Sequence, residues 1–227
     1  MKKHIFYTEI SYVLGLIIMS FGAAFAELAG FGLSMVVAPT YALHLKLVEI
    51  FPWFSFGVAE YFVQGLIIVI TALIVRRFKV SYLFSFITAI FYGTALDGAM
   101  YLLSYLPDDL FALRILWFVI GTLCCSLAVS LFFHTYLSPE AYELIVKEVS
   151  KRYSFNINKV KTAYDCISTL IAIILSFSFF GWFVFHGVGI GTIICALING
   201  TIIGKISNFL DSRFEFKNKF NIEKWFE

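Results

Sequence analysis

The chain has 227 residues, of which 60% are hydrophobic and only 14% charged, with a mean hydropathy of +0.88. A soluble domain carries about 25% charged residues, so this composition excludes that class and requires a bilayer as solvent. The net charge of +2 gives no argument for a nucleic-acid partner, because the basic residues flank apolar stretches, where they face anionic headgroups.

The first apolar stretch follows Met1-Lys2-Lys3 and ends near Ala24-Phe25-Ala26, the layout of a cleaved signal peptide. Tyr7, Thr8 and Glu9 interrupt that layout, and the chain stays apolar beyond Glu27. Cleavage would also leave five spans and break an internal repeat, so this stretch is read as a retained helix. A span needs about 20 apolar residues. Six candidates follow in order: 12–30, 56–74, 82–103, 111–134, 160–183 and 189–206. Arg76-Arg77-Phe78-Lys79 and Pro107-Asp108-Asp109 form two of the breaks.

With the N-terminus inside, the inner segments hold Lys2, Lys3, Arg76, Arg77, Lys79, Lys147, Lys151, Arg152, Lys159, Lys161, Lys205, Arg213, Lys217, Lys219 and Lys224. Only Lys46 and Arg114 fall outside. This asymmetry predicts an inner-membrane protein with both termini cytoplasmic. The predicted fold is therefore one all-α transmembrane domain over 1–227, with a cytoplasmic tail from 207.

Two connections are longer than turns, 34–52 and 138–155. The second opens Ser138-Pro139-Glu140, with Ser as N-cap and Pro at the first helical position. Ala141, Leu144, Ile145 and Val149 then share one face, against Glu143, Lys147, Glu148 and Lys151. This pattern predicts a short amphipathic helix on the inner surface, with a flexible loop as the alternative.

The order of long span, surface segment, span, span occurs twice. At an offset of 107, Ile87, Ala89, Gly93 and Thr94 match Ile194, Ala196, Gly200 and Thr201, and Gly15 and Gly121 lie in comparable first spans. A three-span unit must insert its two copies with opposite orientation. The halves, about 12–103 and 111–206, are thus read as inverted three-helix repeats, each with a short surface segment after its first span.

Gly187-Val188-Gly189-Ile190-Gly191-Thr192 and Asn199-Gly200-Thr201-Ile202-Ile203-Gly204 resemble the signature of the YczE/YyaS/YitT family of bacterial integral membrane proteins. Leu137-Ser138-Pro139 and Tyr153-Ser154-Phe155 are similar to that family's second-half pattern. Gly32-Leu33-Ser34 and Phe54-Ser55-Phe56-Gly57 are a fainter first-half counterpart. Met35 and Asn156 stand where the family commonly has Pro and Gly. The resemblance implies a polytopic plasma-membrane protein and supplies neither substrate nor reaction.

Gly187, Gly189 and Gly191 precede a helix, where successive backbone N–H groups and the helix dipole suit an anion or a carboxylate, and Thr192 adds a hydroxyl. The alternative is a tight turn with close packing. Thr192 to Ile206 is short for a span, so this loop is expected to dip below the outer surface. Ala196, Gly200 and Gly204 form a small-residue ridge, for packing within the chain or for a homodimer.

Ionised groups are costly in hydrocarbon and usually face the protein interior. Asp97 and Asn199 are the leading substrate-binding candidates. Asp97, Glu27, Glu60 and Asp165 are candidates for ion or proton coupling, with Gln64 one turn from Glu60. The competing readings are interfacial hydration for Glu27 and Glu60, and pairing with Lys161 for Asp165. Cys124, Cys125, Cys166 and Cys195 lie in predicted spans without CxxC or His spacing, so neither metal nor cofactor is expected. No HExxH, nucleophile elbow or Walker loop is present, so an enzyme is not expected. The expected function is a small permease for a polar or anionic solute bound between the halves. The alternative is a non-transporting accessory or scaffold subunit.

Overall fold

The computed structural model describes residues 3–220. Lys2, Lys224 and the end of the predicted tail lie outside the described residues. The elements run β1 (His4–Tyr7), α1 (Thr8–Ala29), α2 (Ala38–Val48), α3 (Phe56–Val75), a 3-10 turn (Val80–Leu83), α4 (Phe84–Leu103), α5 (Phe111–Phe133), α6 (Ala141–Tyr153), α7 (Ile157–Phe180), α8 (Ile190–Arg213) and β2 (Phe214–Lys217). Six helices among the described residues are long and apolar enough to cross a membrane: α1, α3, α4 with its 3-10 turn, α5, α7 and α8. The protein is an all-α, six-span membrane protein.

Local signals set several boundaries. Ser55 caps α3 by accepting from the Val58 N–H at 3.3 Å, and Asn156 caps α7 by accepting from Asn158 and Lys159. Gly30 ends α1 in the left-handed conformation.

The two halves share one packing plan. α1 packs on α4 as α5 packs on α8, and α2 packs on α7 as α6 packs on α3. The first spans, α1 and α5, form the most extensive pair. They run antiparallel: Ser11 Oγ donates to the Leu131 carbonyl, Gly22 faces Cys125, and Arg114 donates to the Ala29 carbonyl. Opposite directions for corresponding first spans are what an inverted pair requires. The plan breaks at one place, since α7 packs closely along α8 while α3 and α4 have no comparable seam.

Two expectations need correction, and a third is decided between its two readings. The α6 helix forms, but Glu140 rather than Ser138 is its N-cap, and it does not lie on the surface. Tyr142, Glu143, Leu144 and Val146 are buried, and α6 lies alongside α3. Its polar face is satisfied by the bundle: Glu143 by Lys161, Glu148 by Tyr82 and Lys79, and Lys147 by the carbonyls of Thr135 and Leu137. An amphipathic pattern indicates a surface helix only when no buried partner neutralises the polar face.

The last span is not short. α8 has 24 residues and continues to Arg213, so 207–213 are helix rather than tail. β2 then pairs in parallel with β1, Ile5 opposite Glu215, which joins the segment before α1 to the segment after α8. Finally, the small-residue ridge is occupied from within. A Cβ at Gly200 would collide with Thr162, and one at Gly204 would approach Asn158 Nδ2 to 2.6 Å, so α7 fills the space a second copy would need. In the first half, Gly93 has open space beside it.

Candidate functional site

Lys161 lies in the second turn of α7 and is only 2% exposed. Its Nζ stands 2.8 Å from Asp165 Oδ1, one turn along α7, and 3.5 Å from Glu143 Oε1 on α6. Glu143 is equally buried and Asp165 fully so. One ammonium thus faces two carboxylates in an interior with no bulk water. Breaking such a cluster by removing one member is strongly unfavourable, because a charge is left uncompensated. Neither Asp165 oxygen reaches hydrogen-bond geometry with a partner among the described residues, so the pair is held by charge more than by alignment.

Glu143 and Lys161 line a cavity of about 80 Å³ together with Asn199, Thr122, Thr192 and Ser34. A single water needs roughly 10–15 Å³ on this measure, so the space suits several waters or a small solute group. The cavity lies between α1 and its following loop from the first half and α5, α6, α7 and α8 from the second. Asn199 is held by Ser126, whose hydroxyl donates to Asn199 Oδ1 at 2.6 Å.

A second polar group adjoins the first. Tyr142 donates to Glu60 Oε2 at 2.8 Å and lies 3.2 Å from Thr40 Oγ1, so the starts of α2 and α6 meet there. Since the tyrosine hydrogen goes to the carboxylate, Thr40 is the donor in the second contact. Among the described residues, Glu60 Oε1 and Gln64 Oε1 are buried without a hydrogen-bond partner. Tyr142 and Glu143 are consecutive, so the first residues of α6 touch α3 of one half and α7 of the other. Aligning the two N-caps, Ser55 with Asn156, sets an offset of 101, at which Glu60 falls on Lys161 and Gln64 on Asp165. At the same offset, the buried Ile67, Ile68, Thr71 and Val75 fall on the buried Ser168, Thr169, Ala172 and Ser176. Each half therefore presents a polar pair four residues apart at the same height of the same helix, with an acid in one where the other has a base.

Glu140, the N-cap of α6, is also buried. Burial first, and then the charges of Glu143 and Glu60, push its carboxyl well above the usual range.

The residues singled out in the sequence divide. Asn199, Gly191, Thr192, Glu60 and Asp165 fall in or beside the two groups. Asp97 does not. It is exposed on α4 and does not face the junction of the halves. α4 meets α1 through Thr88, which contacts Tyr12, and Tyr92, whose carbonyl accepts from Ser20. Nine residues beyond Thr88 lies about half a turn round the helix, so Asp97 points away from α1. Glu27 is likewise exposed, as interfacial hydration requires.

The glycines take the second of their two readings, a tight turn with close packing. Gly189 N–H donates to Thr192 Oγ1, Gly191 N–H to the Phe31 carbonyl, and Thr192 Oγ1 to the Leu33 carbonyl. Leu33 N–H donates to the Gly187 carbonyl. The Gly191 donor and the Thr192 hydroxyl thus clamp this loop to the chain after α1, while the Gly189 donor is spent on Thr192 at the start of α8. Gly32 sits at φ +111°, and a Cβ there would strike the Gly189 backbone. In the other half Thr88 Oγ1 donates to the Ser138 carbonyl at 2.9 Å, a comparable latch across the halves.

Sequence reasoning missed Glu143 and Lys161 as site residues, and assigned Lys161 and Lys147 to inner loops. The readable signal was the matched spacing of Glu60/Gln64 and Lys161/Asp165 from their helix caps.

Residues 6–208 match a family described only as a family of unknown function, DUF6198. The chain belongs to that family. No curated protein and no solved structure matches it. Membership of DUF6198 covers both halves and the whole site, and it carries no activity with it.

Proposed function

We propose that this DUF6198 protein is a small permease of a bacterial inner membrane, with both termini cytoplasmic, moving a small polar or anionic solute through the junction of its halves. The observation that carries this reading is the buried cluster Glu143–Lys161–Asp165 on a cavity between the halves. A purely architectural interior gains more from apolar packing than from three buried charges. Lys161 is the group that a solute carboxylate or other anion would meet, by exchanging with Glu143. Asp165 and Glu60 are the acids suited to take up a coupling proton, which removes a buried charge rather than creating one. We also propose a distant relationship to the YczE/YyaS/YitT proteins, resting on the stretch 187–204.

The test is uptake by liposomes containing the purified protein, scanned over a mixture of small metabolites with pH and sodium gradients imposed. Wild type should accumulate at least one solute over empty liposomes. Asn199→Ala should weaken that uptake and Asp97→Asn should leave it intact. No uptake of any solute under any gradient would sink the proposal.

A second reading, an accessory or scaffold subunit, is favoured by a different observation. The α4 face bearing Gly93 and Asp97 is open, with no described residue within 4 Å of a Cβ placed at Gly93, and an exposed carboxylate within a span is costly when it faces lipid. A protein partner supplying a donor to Asp97 would resolve that cost. Loss of a co-purifying partner on Asp97→Asn, with no uptake by the wild type, would favour this reading.

A further inference from the structure

Away from the central site, the end of the bundle that carries β1 and β2 holds a second cavity, of about 400 Å³, and its chemistry is unlike the first. Arg76, Arg77 and Lys79 enter it from the loop after α3, and Lys151 and Arg152 from the last turn of α6. Among the described residues, Glu148 is the one acid lining it. That carboxylate is already engaged, since it accepts from Tyr82 at 2.7 Å and pairs with Lys79 at 3.5 Å. Arg76, Arg77, Lys151 and Arg152 have no ion pair among the described residues.

A positive bias on the inner side of a membrane protein asks only that loops be basic. It does not ask that two separate segments bring five cations to one concavity. Nor does it explain Arg76 at φ 56°, a left-handed conformation that favours glycine and that this arginine occupies as the C-cap of α3. Guanidinium forks match the oxygens of a phosphate, and basic pockets between spans on the cytoplasmic side suit anionic headgroups. The flanking residues are apolar and exposed. Phe78 and Val80 alternate with the loop cations, and Tyr153 and Phe155 stack beside Arg152 with ring centroids 5.7 Å apart. A pocket for a free ion has no use for such a rim, whereas a phosphate carried on acyl chains does.

We infer that the pocket formed by Arg76, Arg77, Lys79, Lys151 and Arg152 is a binding site for the phosphate headgroup of an anionic phospholipid. It ties the loop after α3 to the end of α6, the helix whose other end holds Tyr142 and Glu143.

The test uses the purified full chain in mixed micelles of phosphatidylglycerol and phosphatidylcholine in equal amounts, with retained lipid read by native mass spectrometry. Wild type should retain phosphatidylglycerol preferentially, and inorganic phosphate at millimolar concentration should not displace it. Arg77→Gln with Arg152→Gln should reduce the preference by on the order of fivefold for each cation removed. Lys159→Gln with Lys205→Gln, which removes two exposed cations elsewhere, should leave it unchanged. Equal retention of the two lipids by the wild type would overturn the inference without any variant being needed. So would displacement by inorganic phosphate, or an equal loss in the control variant. Should the double variant not fold, Arg152→Gln alone gives the same reading, and an unaltered preference there would also overturn it.

Discussion

Tyr142 donates its phenolic hydrogen to Glu60 at 2.8 Å, joining α6 of the second half to α3 of the first. The next residue, Glu143, faces Lys161 on α7. The beginning of one short helix thus holds the polar groups of both halves, and any relative movement of the halves must rearrange the Tyr142–Glu60 contact, the one of the two that crosses between them.

Tyr142→Phe keeps the ring and removes the hydroxyl. Glu60 Oε2 then loses its donor in a buried setting, and Thr40 loses its acceptor. A loss of about 1–3 kcal/mol is expected, measured as a lower midpoint in thermal unfolding of the detergent-solubilised protein. An unchanged midpoint would mean that water replaces the hydroxyl.

Lys161→Met should be far more damaging, at roughly 3–5 kcal/mol, because Glu143 and Asp165 are left facing each other without a cation. Adding Asp165→Asn and Glu143→Gln to Lys161→Met should recover much of that loss, since no uncompensated charge remains. Additive effects in this series would show that the three side chains do not act as a unit.

Gly32→Ala and Gly93→Ala make a matched pair. The first places a Cβ against Gly189 at φ +111°, so folding yield should fall sharply. The second meets nothing within 4 Å, and alanine is the better helix former by about 1 kcal/mol. It should be neutral or slightly stabilising. Equal tolerance at both positions, read by size-exclusion profiles, would contradict the clamp between the loops after α1 and before α8.

Lys147 has an amine that burial lowers to about 8, with Glu148 opposing the shift and Lys151 and Lys79 reinforcing it. In the unfolded chain it titrates near the ordinary lysine value of about 10.4. Between those values the unfolded chain binds the extra proton, so this residue's contribution to stability rises as the pH goes from about 8 to about 10. Glu140 acts in the opposite direction. Its raised carboxyl favours the folded state below the ordinary glutamate range and loses that contribution as the pH rises through its folded value. Glu140→Gln should therefore stabilise the protein at pH 7, where the unfolded chain has already lost the proton that the buried carboxyl favours. Lys147→Met should flatten the alkaline rise. Unfolding midpoints at pH 6 to 10 check both.

Topology has its own test. Phe78→Cys, in a background lacking the four native cysteines, should resist an impermeant thiol reagent in intact cells, while a cysteine at position 108 should react. Labelling at 78 would reverse the orientation derived from the basic residues.

The six spans, the alternation of basic loops and the repeated order of elements were legible in the sequence because each depends on local composition: a run of about 20 apolar residues or a loop's charge needs no distant partner. Asn199 and Asp165 were also visible as polar interruptions of apolar helices. What the sequence by itself left open is which way a polar residue turns and what meets it. Asp97 and Asn199 are alike as polar residues within spans, yet α4 rests on α1 through the opposite face from Asp97, while α8 lies between α5 and α7 and has its asparagine enclosed. Glu143 and Lys147 have the spacing of a hydrated helix face. Only the tertiary structure supplies the Lys161 ammonium and the Thr135 and Leu137 carbonyls that allow them to be buried. The cost of desolvating a charge is decided by the partner that replaces water, and these partners are brought in by other segments of the chain.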